Sequence, residues 1–157
     1  MMNEPAKIPV ILLVEDCDDD VFFVHHCLEK VGIKFSLSVV ENGEDAIFYL
    51  SGENQYADRA QYPLPDLVLL DLMIPIKDGF EVLLWVQQQS QLKSLRIIVL
   101  TATEQARNEN RAYQLGAKSF LTKPITTEMG HFILGCLGLG KPPEISMKPQ
   151  DFPQQRI

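Results

Sequence analysis

Three acids, a threonine and a lysine follow four short apolar runs of this sequence. Each run has the length and composition of a buried strand, and a carboxylate directly after such a strand is unusual. Three carboxylates brought close together repel one another, and Mg²⁺ prefers hard oxygen ligands of this kind. The group would suit phosphoryl transfer, with a carboxylate as nucleophile and the lysine as a positive charge beside the phosphoryl group. The residues are Glu15 and Asp16 after run 10–14, Asp71 after run 67–70, Thr101 after run 97–100, and Lys123 soon after run 119–121.

These side chains can meet only if the apolar runs are strands of one parallel sheet. The runs alternate with segments of helical periodicity, which is typical of βαβ units in an α/β protein. Right-handed crossovers favour a doubly wound, five-stranded parallel sheet with strand order 2-1-3-4-5. The carboxyl ends of such strands form a crevice where ligands bind. The predicted strands are 8–14, 35–40, 66–70, 96–100 and 118–121, and the predicted helices are 18–31, 44–50, 79–89, 104–115 and a fifth that starts after Pro124.

Two segments between these elements have distinctive patterns. The first helix carries an apolar stripe that we expect to face the core. Residues 51–65 are polar and turn-rich, and this connection is longer than is usual between a helix and a strand. The stripe is formed by Val21, Val24, His25, Leu28 and Val31.

Size, charge and cysteine content exclude several classes of function. The chain has 157 residues, enough for one domain with a sizeable core. Its net charge of −7 argues against binding to nucleic acid, which requires a cationic surface. No apolar run approaches the ~20 residues of a membrane-spanning helix. Three cysteines without metal-ligand or disulfide spacing indicate reduced thiols in a cytoplasmic protein. We divide the chain into an N-terminal segment, 1–7, one folded domain, 8–139, and a proline-rich tail, 140–157.

The motifs and their intervals resemble the receiver domain of two-component response regulators, the phosphoacceptor partners of sensor histidine kinases. The sequence aligns with the chemotaxis regulator without a gap over the intervals from Asp71 to Gly79, Thr101, Phe120 and Lys123. The resemblance covers residues 8–137 and implies the flavodoxin-like receiver fold. It rests on 12–16 (LLVED), 66–75 (DLVLLDLMIP), 78–79 (DG), 100–102 (LTA), 116–117 (GA) and 120–124 (FLTKP).

The resemblance also implies a role for each matched side chain. Asp71 would accept a phosphoryl group from a kinase phosphohistidine, and Lys123 would contact that group. Thr101 would move towards the phosphoryl group, and Phe120 would change rotamer in concert. The outcome would be a population shift in the region between strand four and helix four.

A magnesium site is implied at the same place. Asp16 and Asp71 would bind Mg²⁺ together with the backbone carbonyl of Met73, and Glu15 would assist through a water molecule. Met73 lies beside the path of the attacking water in this family, and we expect its apolar side chain to slow dephosphorylation. Phe120 lacks the hydroxyl that a tyrosine would offer, which disfavours output schemes that need that hydrogen bond.

The long connection at 51–65 indicates which group of receiver domains the chain resembles most. Single-domain receivers paired with bacterial phytochromes commonly have a longer connection here. They also have similar sequences at the positions that match 41–46 (ENGEDA) and 64–72 (LPDLVLLDL). The implied partner is therefore a sensor histidine kinase, with a phytochrome-type photoreceptor as the specific candidate.

We expect a stand-alone phosphoacceptor switch, which is not an enzyme beyond slow loss of its own phosphoryl group. Its output would be binding to other proteins. The apolar fifth helix favours a homodimer through the α4–β5–α5 side, and the alternative is that the tail covers this helix. A second hypothesis is an adaptor with the receiver fold that does not depend on phosphorylation. A magnesium-dependent phosphatase is disfavoured, because Met73 occupies the position where such enzymes carry an acid.

Overall fold

The structure is a computed structural model of the chain and describes residues 7–102 and 105–138. Strands and helices alternate through these residues, and short 3₁₀ helices lie at Asn54–Tyr56 and Ser90–Leu92. The strands are β1 (Val10–Val14), β2 (Ser36–Val40), β3 (Leu67–Leu70), β4 (Arg96–Thr101) and β5 (Ser119–Thr122). The helices are α1 (Asp18–Lys30), α2 (Gly43–Ser51), α3 (Gly79–Gln87), α4 (Ala106–Gln114) and α5 (Thr127–Gly135).

The five strands form one parallel sheet with the order β2-β1-β3-β4-β5. The predicted fold class and strand order are therefore confirmed. Successive side chains of a strand point to opposite faces of the sheet. Ile11 and Leu13 accordingly pack in a core with α1 and α5, whereas Leu12 and Val14 pack in a second core with α2, α3 and α4. Burial on both faces explains why β1, β3 and β4 are continuous apolar runs rather than alternating ones.

The helix ends follow the expected signals. Gly32 and Gly116 have φ angles of +84° and +101° after α1 and α4, the left-handed conformation that favours glycine at a helix end.

The predicted stripe of α1 was wrong at one position. His25 is exposed, with its ring 5.8 Å from that of Phe35. Cys27 is the half-buried residue next to α5, and its thiol lies 3.7 Å from the carbonyl of Ile125.

The long connection between α2 and β3 is a packed structure. The rings of Tyr49, Tyr56 and Tyr62 contact one another with centroid distances of 5.1–6.0 Å. The guanidinium of Arg59 donates hydrogen bonds to the carbonyl oxygens of Tyr49, Leu50 and Tyr62 at 2.7, 2.9 and 3.1 Å. Since the last carbonyls of a helix lack partners within the helix, Arg59 both satisfies the end of α2 and anchors the loop to it.

Replacing Arg59 with alanine should lower the free energy of unfolding by about 2 kcal/mol, because several hydrogen bonds from one charged group are lost. Urea unfolding of the purified protein measures this change. Arg107→Ala in α4 is the matched control, since Arg107 is exposed. Equal losses in the two variants would contradict the anchoring role of Arg59.

Several predictions about the chain termini lie outside the described residues. They concern the tail at 140–157, the N-terminal segment up to residue 6, and the idea that the tail covers α5. The apolar side chains of α5, including Phe132, Ile133 and Leu134, are buried within one chain. Within the described ranges, no helix is both long and apolar enough to cross a membrane.

Candidate functional site

The carboxyl ends of four neighbouring strands bring the predicted site residues together. Glu15 and Asp71 come directly after β1 and β3, Thr101 is the last residue of β4, and Lys123 follows β5. Glu15, Asp71 and Thr101 are 2%, 6% and 0% exposed, three of the four buried polar or charged residues in the described chain. Charged groups are rarely buried without a partner, so the contacts among these side chains carry information about function.

Asp71 lies at the centre of the contacts. Its Oδ1 accepts a hydrogen bond from the hydroxyl of Thr101 at 2.8 Å and one from the backbone amide of Met73 at 3.1 Å. Its Oδ2 accepts one from the ammonium of Lys123 at 2.8 Å. The sequence-based grouping of Asp71, Thr101 and Lys123 therefore matches their geometry.

Lys123 contacts three carboxylates at once. Its Nζ lies 2.7 Å from Glu15, 2.8 Å from Asp20 and 2.8 Å from Asp71. Asp20 comes from the first turn of α1 and was not among the predicted site residues. The sequence offered a signal in the run Asp18-Asp19-Asp20, but negative charge in the first turn of a helix has a local explanation in the helix dipole.

The crowding of charge changes the ionisation of these groups. Burial and the neighbouring Asp71 carboxyl raise the pKa of Glu15 to about 9. Burial alone would raise the pKa of Asp71, but the neighbouring Glu15 carboxyl and hydrogen bonds from Lys123 and the Met73 amide lower it. Burial disfavours the charged form of Lys123, yet the three carboxylates outweigh it and raise its pKa. Asp71 is therefore an anion and Lys123 a cation, while Glu15 holds a proton in the absence of another cation.

The acidic groups fit a divalent cation. Glu15, Asp16 and Asp71 each offer a carboxylate oxygen, and these oxygens lie within 4.8 Å of one another. Glu15 Oε2 is buried and lacks a hydrogen-bond partner, which is costly unless a ligand or a proton satisfies it. Asp16 is exposed and leaves an open approach for water. Hard oxygen donors with an open side are typical of Mg²⁺ sites.

The loop after Asp71 is held close to the site by a glycine. A Cβ atom on Gly79 would lie 2.6 Å from the carbonyl oxygen of Asp71 and 2.7 Å from the Cα of Leu72, closer than backbone atoms allow. The carboxylate of Asp78 caps α3 by accepting a hydrogen bond from the amide of Glu81 at 2.9 Å. The Asp-Gly pair of the sequence therefore fixes where this loop turns into α3.

Phe120 is fully buried in β5, the edge strand that pairs with β4. Its amide donates a hydrogen bond to the hydroxyl of Tyr113 in α4 at 3.1 Å. Tyr113 was not singled out in the sequence, because an aromatic residue in a helix is most often a packing residue. The contact ties α4 to the strand that carries Phe120.

Comparison with known proteins places this geometry in a family. The family model of the response regulator receiver domain matches residues 11–132. Response regulator Rcp1 of Synechocystis sp. is 35% identical over 123 residues, which span 78% of this chain and 82% of Rcp1.

Solved structures agree with this assignment. The Mn²⁺-bound form of Rcp1 matches with a TM-score of 0.71 and 32% identity, over 83% of this chain and 93% of that chain. The phosphorylated cyanobacterial phytochrome response regulator RcpA matches with a TM-score of 0.72 and 29% identity, over 82% of this chain and 91% of that chain. Because the family model spans well over half of the sequence, this chain belongs to the response regulator receiver domain family.

Proposed function

We propose that this protein is a single-domain response regulator that accepts a phosphoryl group on Asp71 from a sensor histidine kinase. The observation that carries the proposal is the buried Asp71 carboxylate, which contacts Lys123 and Thr101 beside a group of acids suited to Mg²⁺. The similarity to phytochrome response regulators supports a phytochrome-type kinase as the partner.

In the proposed transfer, an oxygen of Asp71 forms a bond to phosphorus and the P–N bond of the kinase phosphohistidine breaks. The electron pair of that bond stays on the imidazole nitrogen, which takes a proton from water. Lys123 would hold the phosphoryl oxygens by charge, and the hydroxyl of Thr101 would donate a hydrogen bond to one of them. Hydrolysis of the acyl phosphate returns the carboxylate and inorganic phosphate.

Glu15, Asp16 and Asp71, with the backbone carbonyl of Met73, would hold Mg²⁺. The chemistry that Mg²⁺ supplies when bound is neutralisation of the phosphoryl oxygens. Glu15 would give up its proton when the cation binds. The Mn²⁺-bound state of Rcp1 supports this proposal, since Mn²⁺ also prefers oxygen ligands.

Two exposed aromatic side chains lie on α1, the helix whose Asp20 contacts Lys123. Phe22 and Phe23 are 64% and 53% exposed, unusual values for large aromatic side chains. Phe23 also lines a cleft with Ile125 and with Lys123, whose ammonium contacts Asp71. We propose that these two rings contact the kinase during phosphotransfer.

Replacing both Phe22 and Phe23 with alanine should slow phosphotransfer from a purified phytochrome-type kinase by roughly tenfold or more, as expected when aromatic contact residues are lost. Phosphorylation by acetyl phosphate should stay unchanged, because that donor needs no docking surface. The control is Leu84→Ala, which removes another exposed apolar side chain from α3. A matching loss with acetyl phosphate would contradict a docking role.

Met73 should lengthen the life of the phosphorylated state. Its side chain is 70% exposed while its amide contacts Asp71, so the side chain lies at the open side of the site. In Met73→Asn, an amide that can position water replaces an apolar group, and the phosphoryl lifetime should shorten severalfold. Decay of the phosphorylated protein after removal of the donor measures this, and an unchanged lifetime would refute the role of Met73.

The proposed output is binding to other proteins, including a second copy through the α4–β5–α5 side. Since the apolar residues of α5 are buried within one chain, such a dimer would rely on polar contacts. The exposed side of α4 offers such contacts through Arg107, Asn110, Arg111 and Gln114.

We also propose a cytoplasmic location, in which the free thiols of Cys17, Cys27 and Cys136 stay reduced.

The proposed function is tested by phosphotransfer from a kinase that has been autophosphorylated with radiolabelled ATP. Label should move to the wild-type protein in the presence of Mg²⁺ and should not move to Asp71→Asn. Transfer that persists in Asp71→Asn would place the acceptor at another residue.

A further inference from the structure

Lys123 has no free hydrogen-bond donor in this structure. An ammonium has three N–H groups, and the three contacts to Glu15, Asp20 and Asp71 use all of them. The proposed function requires Lys123 to contact a phosphoryl group on Asp71. A phosphoryl group on Asp71 must therefore compete with these carboxylates for Lys123.

The burial of the three carboxylates decides which contact is lost. The side chain of Glu15 is 2% exposed, so water cannot replace Lys123 as its partner. Phosphorylation turns the Asp71 carboxylate into an acyl phosphate, so the phosphoryl group takes over its contact with Lys123 and adds negative charge beside the other two carboxylates. Asp20 is 34% exposed and lies in the first turn of α1, so water and the helix dipole can stabilise its charge after separation.

We propose that Asp20 is a positioning residue that binds Lys123 in the unphosphorylated state and competes with the phosphoryl group for it. This inference rests on the proposed phosphoacceptor function and adds a residue to it. A contact present in only one of two states shifts the equilibrium towards that state. Asp20 thus lowers the affinity of the site for a phosphoryl group.

The test is a calorimetric titration with fluoroberyllate, a phosphoryl analogue, at saturating Mg²⁺. Asp20→Asn removes the competing charge and should bind fluoroberyllate about three- to fivefold more tightly than the wild type, as expected for one partly exposed charge pair. Asp20→Glu, which keeps the charge, should stay closer to the wild type. Thermal unfolding first establishes that each variant is folded, and a gain in affinity is not a result that structural damage produces.

The chain offers a matched control in Asp19→Asn. Asp19 is exposed on the same helical turn, and its replacement changes the net charge equally, while the ion pairs of Lys123 are with Glu15, Asp20 and Asp71. Affinity in Asp19→Asn should stay within about twofold of the wild type, because exposed charges at a distance are screened.

Three outcomes would overturn the inference. Equal tightening in Asp19→Asn and Asp20→Asn would mean that net charge, not competition for Lys123, sets the affinity. Unchanged or weaker binding in Asp20→Asn would mean that Asp20 does not compete, with weaker binding showing that it holds Lys123 in the productive position. Absence of binding to the wild type itself would instead overturn the phosphoacceptor proposal, and this inference with it.

Discussion

Replacing Lys123 with methionine should reduce phosphorylation by acetyl phosphate at least ~100-fold, the size of effect seen when a single group that stabilises transition-state charge is removed. Methionine keeps most of the apolar stem and removes the ammonium. That ammonium lies 2.8 Å from Asp71 and is the cation that the proposed mechanism places against the phosphoryl oxygens. The rate of phosphoryl adduct formation, followed by intact mass, measures the loss.

The same substitution should also destabilise the protein in the absence of Mg²⁺. It leaves the carboxyls of Glu15 and Asp71 buried without their cation, and removing one partner of a buried ion pair costs about 3 kcal/mol or more. Adding Mg²⁺ should recover part of this loss. Lys118→Met is the control, because Lys118 is exposed just before β5. A Lys123→Met protein that is phosphorylated at the wild-type rate would rule out the proposed role of Lys123.

A rise in pH should destabilise the protein when divalent cations are absent, and Glu15 should account for the change. The pKa of Glu15 is raised to about 9 in the folded chain, against an ordinary value of 4.5. Between these values the folded state holds a proton that the unfolded state has lost. The contribution is therefore fully present below pH 4.5 and is lost as the pH rises towards about 9.

Glu15→Gln should flatten this pH dependence. The expected slope in the wild type is at most about 1.4 kcal/mol per pH unit, the value for one proton. The pKa values of Asp20 and Asp71 are lowered from 3.8, so their effects fall at more acidic pH, and that of Lys123 is raised from 10.5, so its effect falls at more alkaline pH. Urea unfolding of both proteins across this range gives the difference, in which groups that do not contact Glu15 cancel. Parallel curves would show that Glu15 does not hold the proton.

The sheet was predictable because its signals are local and strong. A strand buried on both faces must be apolar throughout, and parallel strands need helical crossovers, so the alternation of runs and helices in the sequence predicts a parallel sheet and favours its strand order. The convergence of Glu15, Asp71, Thr101 and Lys123 followed from that topology alone, since the carboxyl ends of parallel strands lie at one edge.

The features that the sequence analysis did not predict correctly are contacts that no local sequence pattern encodes. His25 has the right spacing for the core face of α1, yet it lies at the border of that face, where it contacts Phe35 and where Glu29 lies 3.4 Å away. Asp20 had a sufficient local explanation as a first-turn acid, so its contact with Lys123, 103 residues away, was hidden. The anchoring of the long loop by Arg59 was hidden for the same reason, because the bonds depend on the three-dimensional course of a segment without periodicity.

The central claim is that Asp71 accepts a phosphoryl group, and intact mass measured after incubation with acetyl phosphate and Mg²⁺ tests it most directly. The wild type should gain one phosphoryl group and Asp71→Asn none, while Asp19→Asn, an exposed acid outside the Asp71 contacts, should behave as the wild type. Size-exclusion chromatography of the same samples reports whether phosphorylation changes the assembly state. A wild-type protein that gains no phosphoryl group, and that also fails to bind fluoroberyllate, would contradict the account and favour a receiver-fold adaptor that works without phosphorylation.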